Sequence, residues 1–411
     1  MNDNENMNNY KQHGHGNHEH SRTHGRREYI YDDYVTRKKK SKKTWLIIPI
    51  IIFLLLGVAV LSVITFVKQY FNYNYKEITS APEELGFEEV IEEKIINIAL
   101  FGIDTRTEKS FKGRSDSIMI LSVNTGTKEI KLISVMRDSF VPIQSGKKVT
   151  YNKINSAYAN GGPELAIKTL NTVFGLDISE YATVNFYGMA DIIDTVGGIE
   201  VDVSKSEVEQ INLGINEQCK YTTDDPEQYK LQSSGLQQLN GIQAVAYSRI
   251  RYVSSASGES NDYGRTDRQR YVLNQLFQKA KSIEKSKYPA LIKSALSCCE
   301  TSLSYSEILD LALDVMLKSP TFEESRVPDT QYTMKAPKTS AGSIVYYDLN
   351  FAAKLIHNFI YNDIKPEDYI QTNGIEKYDW YNKGYTPPVF DDTNSAQTEV
   401  SSEQSNEKVT E

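Results

Sequence analysis

Two short stretches, "YSRIR" (Tyr247–Arg251) and "SNDYGRTDRQR" (Ser260–Arg270), place Arg249, Arg251, Arg265, Arg268 and Arg270 within 22 positions of an acidic chain. No lysine stands among them. A guanidinium is a planar fork that grips phosphate or carboxylate at two points, whereas an ammonium is a point charge. A second stretch, "FGIDTRTEKSFKGRSDS", carries Asp104, Arg114 and Asp116. Asp104 ends one apolar run and Asp116 opens the next, so two carboxylates at adjoining strand ends can converge on a hard cation. Magnesium suits such a pair, because it keeps several waters and is completed by substrate phosphates. A third stretch, "SVMRDSFVPI", sets Arg137–Asp138 just past an apolar run, and "TYNKINSAYANGG" adds Lys153 ahead of a helix.

Each constellation has a plainer reading. Aspartates in loops are common turn formers and helix caps. Glu259, Asp262 and Asp267 can neutralise the arginines pairwise. On a helix Arg265 and Gln269 share a face, while Arg268 and Arg270 lie to either side, so the three arginines cannot all point one way. Together, however, an acidic pair for a divalent cation and several arginines match what a pyrophosphate requires. The metal bridges phosphoryl oxygens and the guanidiniums spread over the remaining charge.

The elements that must position these groups can be read from the pattern of apolar residues. "IINIALFGID", "SIMILSVN" and "EIKLISVMRD" are β-rich, with "TGTK" as a hairpin turn between the last two. "GGPELAIKTLNTVFG" reads as a helix with Pro163 near its start and Gly175 at its stop. "YATVNFYGMADIIDTVGGIEVDV" reads strand, helix, glycine turn, strand. "LNGIQAVAYSRIR" and "GRTDRQRYVLNQLFQKAKS" read as helices, the second expected to turn Tyr271, Leu273, Leu276 and Phe277 inward and Arg270 outward. Such alternation predicts a layered α/β domain over about 95–285. Residues 286–385 read as an extension of helices and short strands with no chemistry to assign, and 386–411 as a disordered acidic tail.

Topology rests on Trp45–Val67, 23 residues without a charge, enough to cross a bilayer, which takes about 20. This predicts a transmembrane helix over 44–67. "RKKKSKK" lies before it, so the positive-inside rule puts the N-terminus in the cytoplasm and the rest outside. Residues 68–94 read as a polar stalk. The tail, residues 1–43, has ten Lys and Arg against six Asp and Glu, a net of +4 beside −8 for the whole chain, so the remainder carries −12. An acidic ectodomain argues against nucleic acid as a partner. The tail lacks apolar periodicity and reads as disordered; its five histidines are either a transition-metal site or merely polar sequence. Three cysteines, two of them adjacent, show no disulfide framework.

The ordered series "GID…GRSDS", "SVMRDS", "NKINSAYANGG", "VGGIEVDV" and "YSRIRY…DYGRTDRQR", behind one membrane helix, resembles the LytR-CpsA-Psr family of cell-wall glycopolymer ligases. The resemblance implies an α/β/α layered domain with a central mixed β-sheet. It implies a phosphotransferase that moves a glycopolymer, such as wall teichoic acid or capsule, from a polyprenyl-pyrophosphate lipid to peptidoglycan. Carried over by motif, Asp104 and Asp116 would hold Mg2+. Arg114, Arg137, Arg249, Arg251, Arg265 and Gln269 would meet the pyrophosphate, with Arg114, Arg137 and Arg265 acting in catalysis. Asp262 would act as a base or as the orienter of an arginine. Arg268 and Arg270 fall outside the set. The apolar helices 163–174 and 187–196 are candidates for the wall of a lipid tunnel. Two rival functions keep the same site: hydrolysis of the pyrophosphate lipid, and non-catalytic lipid sensing in regulation of the envelope.

Overall fold

The structure, a computed structural model, describes residues 73–375 apart from 106, 108, 109, 223 and 319. The expected tail 1–43, the expected membrane span 44–67 and the expected C-terminal tail 386–411 lie outside the described residues. Among those described, no helix is long and apolar enough to cross a membrane.

In chain order come β1 (Asn74–Tyr75), β2 (Ile95–Ile103), β3 (Ser115–Asn124), β4 (Glu129–Val135), the hairpin β5 (Phe140–Ser145) and β6 (Lys148–Lys153), and α1 (Asn155–Phe174). Then follow β7 (Glu180–Asn185), α2 (Phe186–Thr195), β8 (Ile199–Val203), α3 (Lys205–Cys219), β9 (Gly235–Leu239), α4 (Gly241–Ser248) and α5 (Asn261–Ser282). The chain continues through α6 (Tyr288–Ser297), β10 (Cys299–Thr301), α7 (Tyr305–Lys318), β11 (Thr321–Val327), α8 (Leu349–Tyr361) and α9 (Pro366–Thr372).

Seven strands form one mixed sheet in the order β1-β10-β7-β2-β3-β4-β11. β2, β3 and β4 are antiparallel neighbours, and the expected turn at 125–128 joins the last two. β7 runs parallel to β2, and β11 parallel to β4. The ends of β2, β4 and β7 and the start of β3 therefore meet at one edge of the sheet. On one face, Ala99, Phe101, Ile103, Ile118, Ile120 and Ile133 pack with Ala166, Ile167 and Leu170 of α1 and Ile356 and Phe359 of α8. On the other face lie α2, α4 and α5. These join α3 and the β8–β9 hairpin in a second core around Ile193, Val201, Ile211, Leu239 and Val272. The result is the mixed α/β fold, helices on both sides of the sheet, that the strand–helix alternation implies.

Four expectations need correction. The segment 68–94 is not all stalk: Asn74–Tyr75 pairs with β10, Leu85 is buried, and Ile78 and Phe87 pack on the core. Three scattered apolar residues in an acidic run carried no periodic signal. Residues 286–375 are no appendage either, since β10 and β11 are strands of the main sheet and α8 covers one face. The helix expected from Gly161 begins earlier, at Asn155, and breaks at Gly161–Gly162 before Pro163. Gly162 holds φ 67°, a conformation that a side chain would disfavour. Finally, Tyr271 of α5 is 37% exposed; Val272 takes the inward place beside the half-buried Leu273, Leu276 and Phe277.

Candidate functional site

The sheet edge where four strands meet gathers most of the chemistry-bearing residues. Asp104 follows the last residue of β2, and Asp116 is second in the antiparallel β3 beside it. Arg137 leaves the end of β4. Asn185 ends β7 and caps α2, its Oδ1 accepting from the Gly188 amide at 2.9 Å, which sets Phe186 at the helix N-terminus beside the same edge. Arg249 caps the C-terminal end of α4. Arg265 and Gln269 project from one face of α5.

Asp104, Asp116, Arg249, Arg251, Arg265 and Gln269 line one cleft of about 510 Å³, with Phe186, Gln210, Leu213 and Glu217. Around it the ion pairs converge. Arg137 Nη1 meets Asp116 Oδ1 at 2.7 Å, and Arg137 Nη2 meets Asp262 Oδ1 at 3.3 Å. Arg265 Nη2 lies 2.9 Å from Asp262 and 3.1 Å from the Asp116 carbonyl; Arg251 Nε approaches Asp262 at 3.9 Å. Arg249 Nη2 lies 3.6 Å from Asp104 and 3.5 Å from Glu217, and its guanidinium sits 4.5 Å above the Phe186 ring. Asp138 is held by Lys153 Nζ at 3.1 Å.

Burial makes these charges consequential. Arg265 is 3% exposed, and its Nε has no hydrogen-bond partner. Loss of solvation pulls its guanidinium down to about 10, with Asp262 opposing and Arg137 and Arg251 adding to the fall. It remains a cation at neutral pH, buried, with less compensation than it can use. For Arg137, burial also pulls downward, but Asp116, Asp262 and Asp138 outweigh it, and the group ends above its ordinary value. Gly264 lets the loop before α5 pack against the helix start: a Cβ there would sit 2.5 Å from the Glu259 carbonyl oxygen.

Behind the cleft lies an apolar cavity of about 240 Å³ between the second face of the sheet and the helices. Leu100, Met119 and Val184 supply its floor, Met189 and Ile192 of α2 one wall, and Leu273 and Leu276 of α5 another. Phe186 and Gln269 line both cavity and cleft. Of the two helices expected to wall a lipid tunnel, α2 lines this cavity. α1 does not: its apolar residues serve the core on the opposite face of the sheet.

The remaining arginines sort themselves. Arg114 is exposed ahead of β3, outside the cleft lining. Arg268 is 1% exposed and structural: it pairs with Glu207 at 2.8 Å and donates to the carbonyls of Val253 and Ser254. Arg270 is not on an outer face. It pairs with Asp267 at 2.6 Å, and Asp267 also meets Arg326 of β11 at 2.9 Å. The edge strand β11, read as a remote extension, covers that side of α5. Phe186 was missed because an aromatic after a strand reads as core. Glu217 was missed because an exposed glutamate on a polar helix carries no signal.

No group of three or more metal-ligating side chains occurs among the described residues. Magnesium needs fewer, since one or two carboxylates suffice when waters and phosphate oxygens complete the shell. Asp104 and Asp116, both facing one cleft, fit that donor set.

A cleft rich in arginine thus adjoins an apolar cavity, the two sharing Phe186 and Gln269 in their linings. The LytR_cpsA_psr family model matches residues 61–354, and the chain belongs to that family. It is 30% identical over 222 residues to a Bacillus subtilis protein named polyisoprenyl-teichoic acid–peptidoglycan teichoic acid transferase TagV, covering 54% of this chain and 53% of that one. It is 31% identical over 260 residues to biofilm regulatory protein A of Streptococcus mutans, covering 61% and 60%. The chain thus spans little more than half the length of these curated relatives. Among solved structures, protein gbs0355 of Streptococcus agalactiae superposes with a TM-score of 0.54 at 24% identity, over 74% of this chain and all of that one.

Proposed function

We propose that the protein is a membrane-anchored, magnesium-dependent phosphotransferase, its N-terminus cytoplasmic and its folded domain outside, that moves a glycopolymer such as wall teichoic acid or capsule from a polyprenyl-pyrophosphate lipid to peptidoglycan. One observation carries the reading: the arginine-lined cleft and the apolar cavity adjoin, with Phe186 and Gln269 in the lining of both. A pyrophosphate in the cleft then leads its lipid into the cavity. At about 240 Å³ the cavity is below the ~300–1,000 Å³ of ordinary small-molecule sites, so it accommodates the proximal end of the chain. The name borne by the Bacillus subtilis relative agrees with this.

In this reading an acceptor hydroxyl on peptidoglycan attacks the phosphorus nearer the sugar. The new P–O bond forms as the bond to the bridging oxygen breaks; polyprenyl phosphate leaves, and the hydroxyl proton passes to water. Arg249, Arg251 and Arg265 neutralise charge on the phosphoryl oxygens as it develops, which is the main catalytic need of phosphoryl transfer. Asp262, in contact with Arg265, Arg137 and Arg251 at once, orients the guanidiniums. Asp104 and Asp116 would hold Mg2+, which would supply positive charge to offset that of the phosphoryl groups. Arg137 and Arg249 pair with those same two aspartates and hold their carboxylates in place.

The test is transfer by the full-length chain in mild detergent, with magnesium, a short-chain polyprenyl-pyrophosphate disaccharide and peptidoglycan oligomers, followed by mass spectrometry. A phosphodiester-linked conjugate that disappears in Asp116→Ala is the expected outcome. Free sugar phosphate without conjugate would replace the ligase by a pyrophosphatase. Binding without turnover would favour a sensor, in keeping with the regulatory name of the Streptococcus mutans relative.

A further inference from the structure

A hydroxyl that attacks phosphorus must give up its proton, and the carboxylates around the cleft differ in their freedom to take it. Asp104 and Asp116 carry the donor set for Mg2+, and Arg249 and Arg137 pair with them. Asp262 is outside the cleft lining; both its oxygens are buried, with three guanidiniums around them. Asp138 is also outside the lining, held by Lys153 and Arg137. The described residues that line the cleft include no histidine, lysine or cysteine, and the phenol of Tyr252 already carries a proton. One carboxylate remains. Glu217 has a side chain 56% exposed, and only its Oε1 is engaged, by Arg249 Nη2 at 3.5 Å. We propose that Glu217 is the general base that receives the acceptor's proton. This deepens the preceding reading and rests on its placing the pyrophosphate in the cleft.

Helical spacing brings Glu217 to the cleft. Gln210, Leu213, Gly214 and Glu217 stand at i, i+3, i+4 and i+7 of α3 and form one stripe along the lining. Ile211, Ile215 and Cys219 are buried in the second core. Gly214 lets α3 press on α4, since a Cβ there would lie 3.1 Å from the Ala246 Cβ. Gln218 donates to the Ile242 carbonyl at 3.3 Å and ties the last turn of α3 to α4. Glu217 therefore stands beside the C-terminal end of α4, which Arg249 caps. Arg249 Nη2 lies 3.5 Å from Glu217 and 3.6 Å from Asp104, with the Phe186 ring against its guanidinium. The arginine that meets the phosphoryl oxygens is thus flanked by a proton acceptor and by a metal-holding carboxylate.

An ordinary carboxylate suits this role. The transition state of phosphoryl transfer is loose, so the attacking oxygen keeps its proton until late, and protein kinases pass that proton to an aspartate. Here the acceptor O–P bond forms while the P–O bond to the bridging oxygen breaks. Polyprenyl phosphate leaves with the electron pair. The proton moves from the acceptor oxygen to Glu217, which returns it to water.

A glutamate that only steadies Arg249 would be a positioning residue, and two variants separate the roles. Glu217→Gln keeps the length and an oxygen for Arg249 but cannot take a proton; Glu217→Ala removes both functions. Transfer by the full-length chain is followed in mild detergent with magnesium, a short-chain polyprenyl-pyrophosphate disaccharide and peptidoglycan oligomers. An unchanged melting temperature checks each fold. Both variants should lose kcat by about 10²–10⁴-fold, the usual worth of a general base, with the donor KM close to wild type. Formate, a small carboxylate, should restore turnover saturably in Glu217→Ala, where it finds space, and equimolar chloride should not. Wild-type kcat in Glu217→Gln, or a Glu217→Ala protein that formate leaves inactive, overturns the assignment. Failure of the preceding reading is visible separately, as wild-type protein that binds donor and yields no conjugate; the base then has no transfer to serve.

Discussion

Arg265 and Arg268 stand one turn apart on α5 and are almost equally buried, at 3% and 1% exposure. Their surroundings differ. Arg268 is saturated: Nε and Nη2 meet the Glu207 carboxylate at 2.9 and 2.8 Å, and backbone carbonyls of the 250–254 loop take further protons. Arg265 has one carboxylate shared with two other arginines, one carbonyl, and an Nε with no partner. One is a rivet holding the loop that carries Arg249 and Arg251. The other is an under-compensated cation at the wall of a cleft. Spare hydrogen-bonding capacity alone does not mark a site, since Arg270 and Arg326 also bury unpartnered nitrogens; Arg265 combines it with a place in the cleft lining.

The largest effect falls on the rivet. Arg268→Met leaves the buried Glu207 carboxylate without its cation, held only by the Ser204 amide and hydroxyl, a loss of about 3 kcal/mol in denaturant unfolding. Adding Glu207→Gln restores a substantial part. An Arg268→Met protein of wild-type stability would erase the distinction between the two arginines. Arg265→Ala inverts the profile. Asp262 keeps Arg137 and Arg251, so unfolding changes little, while transfer falls by about 10²–10³-fold, the usual cost of removing one charge-stabilising donor. Retained transfer in a folded Arg265→Ala variant would take the residue out of the site.

The contrast also shows what was legible in the chain. Asp104, Asp116 and Arg137 could be brought together because each sits at a strand end, and antiparallel pairing of β2, β3 and β4 sends those ends to one edge. Helical spacing put Arg265 and Gln269 on one face and excluded Arg268 and Arg270. The partners of the excluded pair were beyond local reading, since Glu207 lies 61 residues from Arg268 and Arg326 lies on a strand from the distant C-terminal segment. The cavity wall was half legible for the same reason: α1 and α2 are both amphipathic, and periodicity tells which face is apolar, not which side of the sheet it covers.

A smaller test uses titration. The guanidinium of Arg265 is pulled down to about 10, below its ordinary value, because burial disfavours the cation. The cost to stability of burying that charge is thus fully present below about pH 10 and fades as pH rises from there toward the unfolded value. Anion binding runs the other way, because the ligand needs the cation. Calorimetry with geranyl pyrophosphate should show affinity falling as pH passes about 10, with no inflection there in Arg265→Ala. An affinity unchanged through that range in the wild type would mean that Arg265 does not touch the ligand.

The smallest effect sharpens the other half of the site, the apolar cavity set against the charged cleft. Cys299 lines that cavity, and burial, with Cys298 adding to it, pushes its thiol up to about 12. Since the thiolate is the reactive form, a thiol reagent at mildly alkaline pH labels Cys299 slowly. Geranyl pyrophosphate should slow it several-fold further by filling the space the reagent must enter. Inorganic pyrophosphate occupies only the cleft and should not, and the adjacent Cys298, outside the cavity lining, is the internal reference for mass spectrometry. Protection by both ligands would indicate a general tightening of the domain. Protection by the isoprenoid alone would locate the tail beside Leu100 and Met119, on the α2 side of the sheet rather than the α1 side.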